Sequence, residues 1–298
     1  MRSGMQWGVR GIGAAALGIL GVLGAGALAV PAAAAVDQPV TLCSELWNQR
    51  EHIAANQTVI GDVIIDEGYC YLAHSTVSGD VVVPAGQRVE LSGTVVDGDV
   101  RATGGASLYQ ARVHGAVELD GADTAWLRVE RSTVRDVRGV ARDLTFAGAS
   151  RVTGTYDVTA TEMHRLQHST FLGSVTARGG RMLTHSSTFA DLTAVGSRDA
   201  IVCRTAVAGD LTVTGLSDYA RLGLEGREQC RTTIGGSLIL RDNPHSVDLG
   251  EVAIAQDLVC VRNTGPRVVT GAPEVAPGSR VTVGGVSYGD CQYEWVWY

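Results

Sequence analysis

Residues 72–83 read LAHSTVSGDVVV, and the rest of the chain keeps returning to this phrase. Val77, Gly79, Val81 and Val83 alternate with Ser78, Asp80 and Val82, which is the period of a strand. Leu72 and Val77 both belong inside by type but lie an odd number of residues apart. A single strand would put them on opposite faces, so the chain must turn between them, at His74–Ser75. Variants follow as SGTVVDGDVRA from Ser92, HSTFLGSVTA from His168, CRTAVAGDLTV from Cys203 and CRTTIGGSLIL from Cys230.

Aligning these phrases on the apolar residue after the G-D or G-S pair gives Val63, Val81, Val100, Val117, Val137, Tyr156, Val175, Leu192, Leu211, Leu238 and Leu258. The steps are 17 to 20 residues, with one of 27 that holds an insertion around GLSDYARLGLEGRE. A second column runs through Val59, Val77, Val96, Val113, Val134, Val152, Phe171, Phe189, Val207, Ile234 and Ile254. A third runs through Leu72, Leu91, Leu108, Leu166, Leu183, Val202 and Leu249. This period is too short for a propeller blade or a helical repeat and suits one coil of a solenoid. The expected fold is all-β: a single-stranded, right-handed parallel β-helix of about eleven short coils with terminal caps. At strand spacing it would form a rod on the order of 50 Å long.

The expected organisation is a signal peptide (1–35), an N-terminal cap (36–57), the β-helix (58–262) and a C-terminal cap (263–298). The leader reading rests on Arg2 and Arg10, the apolar run 11–30 and the small residues of PAAAA before Val36. It places the mature chain outside the cell, secreted and without a membrane anchor. The N-terminal cap is expected to hold a short helix over 41–56, capped by Thr41, with Leu42, Leu46, Trp47 and Ile53 covering the first coil. The leader contains two Arg and no acid, so the net charge of −7 becomes −9 after export. Every basic residue is Arg and no basic block exists, which argues against nucleic acid or anionic lipid as partner.

Six cysteines in an exported chain suggest disulfides. Cys203 and Cys230 fall at equivalent places in adjacent coils, within bridging reach at strand spacing. Cys43–Cys70 would tie the first coil to the cap, and Cys260–Cys291 would tie the last coil to the tail. This is one of fifteen possible connectivities.

The closing segment carries Asp257, Leu258, Cys260 and Asn263, a loop from Pro266 to Pro277, then Val283, Gly285, Gly289 and Cys291. In that pattern the chain resembles secreted actinobacterial-type parallel β-helix proteins, a group without an assigned activity. Through its short coil and its V-x-G-D-V phrase it is also similar to bactofilin-type polymer-forming β-helices. Both likenesses imply the fold, and neither implies catalytic residues.

Four features could carry function. Asp62, Asp80 and Asp99 precede the anchor in successive coils, and stacked carboxylates could hold Ca²⁺. His168 and His185, with Arg204 and Arg231, line one corner; His74 shares their L-x-H phrase. Tyr293, Trp295 and Trp297 alternate onto one face of QYEWVWY, suited to sugar stacking, an interface or a cap. Asp218, Glu225, Arg227 and Glu228 in the 214–229 insertion are the raw material for a carbohydrate-active enzyme of lyase or hydrolase type. The favoured expectation is a non-catalytic scaffold or adhesive protein of the cell envelope that engages an envelope glycan or protein, or self-associates. The insertion-centred enzyme is the alternative.

Overall fold

All eleven anchor residues stack in parallel register, from Val63 against Val81 through to Leu238 against Leu258. The computed structural model describes residues 38–47, 53–225, 228–263, 268–270 and 281–289. The expected leader lies outside them. Each coil contributes three short strands, so three parallel ladders run along a β-solenoid. The phrase at 69–83 shows them in order: Tyr69–Ala73, Thr76–Val77 and Val81–Val83.

The apolar columns fill the interior because strand alternation sends every second residue inward. Val, Leu, Ile and Phe at these positions are almost fully buried, each gaining about 1.5–3 kcal/mol from the loss of water contact. Midway along the stack the core becomes aromatic. Phe146, Tyr156 and Phe171 meet edge-on or tilted at 5.5–5.9 Å, and Phe171 stacks on Phe189 at 4.9 Å.

The turn expected at His74–Ser75 is present. His74 takes the left-handed conformation at φ 49°, and Asn56, Gln110, Arg131, Ala149, His168, Ser186 and Arg204 do the same in other coils. The Ser or Thr that follows turns inward. Thr94 Oγ1 donates to the Leu72 carbonyl at 2.8 Å, Ser150 Oγ to Val129 at 3.0 Å and Ser187 Oγ to Leu166 at 2.9 Å. A buried hydroxyl thus satisfies a carbonyl that the bend takes out of the ladder. This is the physical content of the recurring H-S-T.

One column residue is misplaced by the sequence. Leu183 points outward, and Thr184 occupies the core position between Leu166 and Val202. The chain has one residue fewer here: Ala160 pairs with Gly179 and Met163 with Arg181, across a tight turn in which Gly179 and Gly180 both have positive φ. Thr184 is tolerated inside because its hydroxyl lies 3.1 Å from that of Thr205.

The ladders continue into both expected caps. Val40–Leu42 pairs with Asp62–Ile64 beneath the first full coil; among the described residues the helix expected over 41–56 is confined to Cys43–Leu46, because Thr41 and Leu42 are held in that strand and Ile53–Ala55 forms another. At the other end Val268–Thr270, Val281–Val283 and Ser287–Gly289 add a further coil.

Candidate functional site

The Asp ladder is built into the backbone. Oδ1 of Asp62 accepts the N–H of Asp80, Asp80 that of Asp99, and Asp99 that of Ala116, each at 2.7 Å. Asp136, Asp191, Asp210 and Asp257 do the same for Thr155, Asp210, Ser237 and Val286 at 2.7 to 3.0 Å. Each carboxylate stands in for a carbonyl at the corner, where the strand ladder is interrupted. Arg101 reaches Asp80 at 2.8 Å and Asp99 at 3.6 Å, offsetting repulsion between neighbours. For Asp136, burial raises the carboxyl pKa, but the Thr155 amide and Arg135 outweigh it and hold the group below its usual range.

The His corner is only partly as expected. His168 and His185 do meet, with ring centres 5.6 Å apart. They do not share a position: His168 is left-handed at φ 48°, whereas Ser186 takes that role in the next coil and His185 precedes it. The cause is the same lost residue that displaces Leu183. Arg204 is left-handed and exposed. Arg231 keeps the register of Arg204, with Ala206 paired to Thr233 and Cys203 bridged to Cys230, but does not share its left-handed conformation. The insertion forms Ala220–Leu222 and an antiparallel pair, Leu224–Glu225 with Glu228–Gln229. It brings Glu225 to 3.6 Å from His185 Nε2 and beside Cys203, a sulfur already joined to Cys230. Asp218 is exposed, and Arg227 lies outside the described residues.

Cys43–Cys70 and Cys203–Cys230 are disulfides, with Cα atoms 6.3 and 5.2 Å apart. Cys260 is also disulfide-bonded. Its expected partner Cys291 lies outside the described residues, as does the aromatic face of Tyr293, Trp295 and Trp297.

Two features escaped the sequence reading. The first is His164, fully buried with Tyr156. The Tyr156 hydroxyl donates to Nδ1 at 2.7 Å and Nε2–H donates to the Arg178 carbonyl at 2.9 Å, which satisfies a neutral imidazole. Burial pushes its pKa down to about 4.

The second is a trench across the face formed by Tyr69–Ala73, Arg88–Ser92, Gly105–Tyr109 and Trp126–Glu130. Gly105 pairs with both Arg88 and Trp126, and Ser107 with both Glu90 and Arg128. The coil carrying Gly105 and Ser107 therefore lacks outward bulk, while the coils on either side carry long side chains. The gap spans Gly105 to Ser107, ~7 Å of strand, and Tyr109 ends it. It holds two depressions, of about 360 Å³ and about 290 Å³, which share Arg88 and Trp126 as walls. Tyr109, Arg128 and Glu130 close the larger one, and Gly104, Asp123 and Arg142 line the other.

Gly105 leaves room for the Trp126 indole, which leans across the gap: a Cβ on it would displace the ring from where it lies. Arg88 lies 5.5 Å from the ring centres of both Tyr69 and Trp126. The Tyr69 hydroxyl donates to Glu90 at 2.9 Å; burial, then this bond and the Glu90 charge, push the phenol pKa up to about 12. The signal was available in the outward residues of GGASLY and WLRVE, which alternate opposite to the core columns.

Comparison with protein families, curated proteins and solved structures finds no significant match. Function therefore has to be read from the geometry alone.

Proposed function

We propose that this chain is an exported, non-catalytic β-solenoid that engages a glycan of the cell envelope across the trench between Arg88–Ser92 and Trp126–Glu130. The observation that carries this reading is the pair of depressions sharing Trp126 and Arg88 over a floor of Gly105 and Ser107. Aromatic walls offer stacking faces to sugar rings, and polar side chains offer hydroxyl partners. The carboxylates of the larger depression are engaged in holding the walls: Glu90 accepts from Tyr69, and Glu130 pairs with Arg128 at 3.1 Å. That favours binding over acid–base chemistry, which needs carboxyls free to exchange protons.

The rest of the molecule supports the same reading. A solenoid with a continuous hydrogen-bonded ladder is stiff, so the trench is formed before the ligand arrives and little ordering is required on binding. The disulfides are compatible with an extracellular protein. No helix among the described residues is long and apolar enough to cross a membrane. The test is a binding screen of the mature protein against purified cell-envelope glycans, run beside Trp126→Ala. Binding that depends on Trp126 is expected. Binding indifferent to Trp126 would move the site elsewhere, and no binding would overturn the proposal.

A further inference from the structure

We infer that the glycan taken by the trench is anionic, and that a carboxylate on it pairs with the edge of the Arg88 guanidinium in the larger depression. This rests on the glycan-binding reading above and specifies the ligand's chemistry.

Arg88 is held and unspent. Tyr69 and Trp126 bring their rings to it from coils on opposite sides, at 5.5 Å each, within cation–π range. Trp126 can do so only because Gly105, in the coil between, has no side chain. Rings interact with the faces of a guanidinium, and its N–H donors point outward in the plane. Among the described residues those donors meet no carboxylate and no hydrogen-bond acceptor. The neighbouring cations differ: Arg128 pairs with Glu130 at 3.1 Å and Arg142 with Asp143 at 2.8 Å. A planar fork fixed by two rings, open at its edge and facing a cavity, suits bidentate capture of a carboxylate.

The engagement of the acids, rather than the count of lining charges, selects the depression: Arg88 and Arg128 with Glu90 and Glu130 line the larger, Arg88 and Arg142 with Asp123 the smaller. In the larger one Arg88 stands free while both acids are engaged, Glu90 by Tyr69 and Glu130 by Arg128. In the smaller one Asp123 lines the wall, which suits sugar hydroxyls better than a second anion. The floor selects a glycan over a peptide. The strand Gly105–Tyr109 is paired on both sides, with Arg88–Ser92 and with Trp126–Glu130, so no backbone edge is free to add a strand. Recognition must come from side chains: stacking plus a charged fork.

The experiment is a calorimetric titration of the mature protein with linear uronic-acid oligosaccharides. Galacturonate, mannuronate and glucuronate-containing chains would each be used beside the carboxyl-reduced form of the same chain. At least one acidic chain should bind about tenfold or more tighter than its reduced form. Arg88→Gln should remove that preference, so that the acidic and the reduced chain bind alike, and Arg88→Lys should restore it only in part. Denaturation midpoints would confirm that both variants are folded. Equal binding of acidic and reduced chains by the native protein, or a preference for the acidic chain that survives in Arg88→Gln, would overturn the anionic inference and leave the glycan reading standing. Failure of every chain, acidic and neutral, would contradict both. A poly-glutamate peptide binding as tightly as the best sugar would overturn the choice of glycan.

Discussion

Asp136 Oδ1 accepts the N–H of Thr155 at 2.7 Å and fills the space in which Gly154 would otherwise carry a Cβ. The G-D phrase is therefore a relation between coils. The Asp of one coil supports a backbone amide of the next, and the Gly of the next coil makes room for it. The seven ladder acids, Asp62, Asp80, Asp99, Asp136, Asp191, Asp210 and Asp257, are each overlain by a Gly: Gly79, Gly98, Gly115, Gly154, Gly209, Gly236 and Gly285. Where the lower coil offers Ala116, Ser174 or Ser237, the position above is Arg135, Ala190 or Gln256. Gly173, above Thr155, and Gly61, above Val40, are the exceptions, and they pack over the carbonyls of Gly154 and Pro39 instead.

Gly154→Ala should therefore destabilise the protein by about 1–3 kcal/mol, since the new methyl must displace Asp136. In an Asp136→Ala background the same change should cost less than half as much, because nothing else crowds that Cβ as closely. A double-mutant cycle from urea denaturation reads the coupling, and additive costs would contradict the account. Asp136→Asn, which keeps an acceptor oxygen, should be milder than Asp136→Ala.

Stability should fall on mild acidification because of His164. Its folded pKa, about 4, lies below that of an unfolded imidazole near 6.5, so the unfolded chain takes up the proton first. The contribution is complete above about pH 6.5 and is lost at up to about 1.4 kcal/mol per pH unit as pH falls towards 4. Denaturation midpoints of His164→Asn across this range should give a flatter profile. An unchanged slope would place the proton uptake at another residue.

Each described disulfide joins residues 27 apart in sequence. Replacing Cys203 and Cys230 together by Ser should cost about 3–4 kcal/mol through loop closure in the unfolded state. Thermal or urea unfolding measures this, and a loss under about 1 kcal/mol would contradict the loop-closure account.

The three inward columns were legible in the sequence because each depends on one residue type recurring at one period. Leu183 was misread because apolarity alone cannot report the residue lost at Gly179–Gly180, and the error carried His185 out of its column. The Asp–Gly relation was present in the letters but spans 16 to 28 residues, beyond any local phrase. The trench was least visible. Its shape is an absence, Gly105 and Ser107 between bulky neighbours, and it emerges only when three coils are set side by side in register.

The central claim, that function resides in the trench, is tested most directly by filling it. Gly105→Leu places bulk on the floor and displaces Trp126, a side chain at the surface that can move. Co-sedimentation of the mature protein with insoluble cell-wall glycan should show the native chain in the pellet. Gly105→Leu, with an unchanged denaturation midpoint, should remain in the supernatant. Equal recovery of the two proteins in the pellet would contradict the claim.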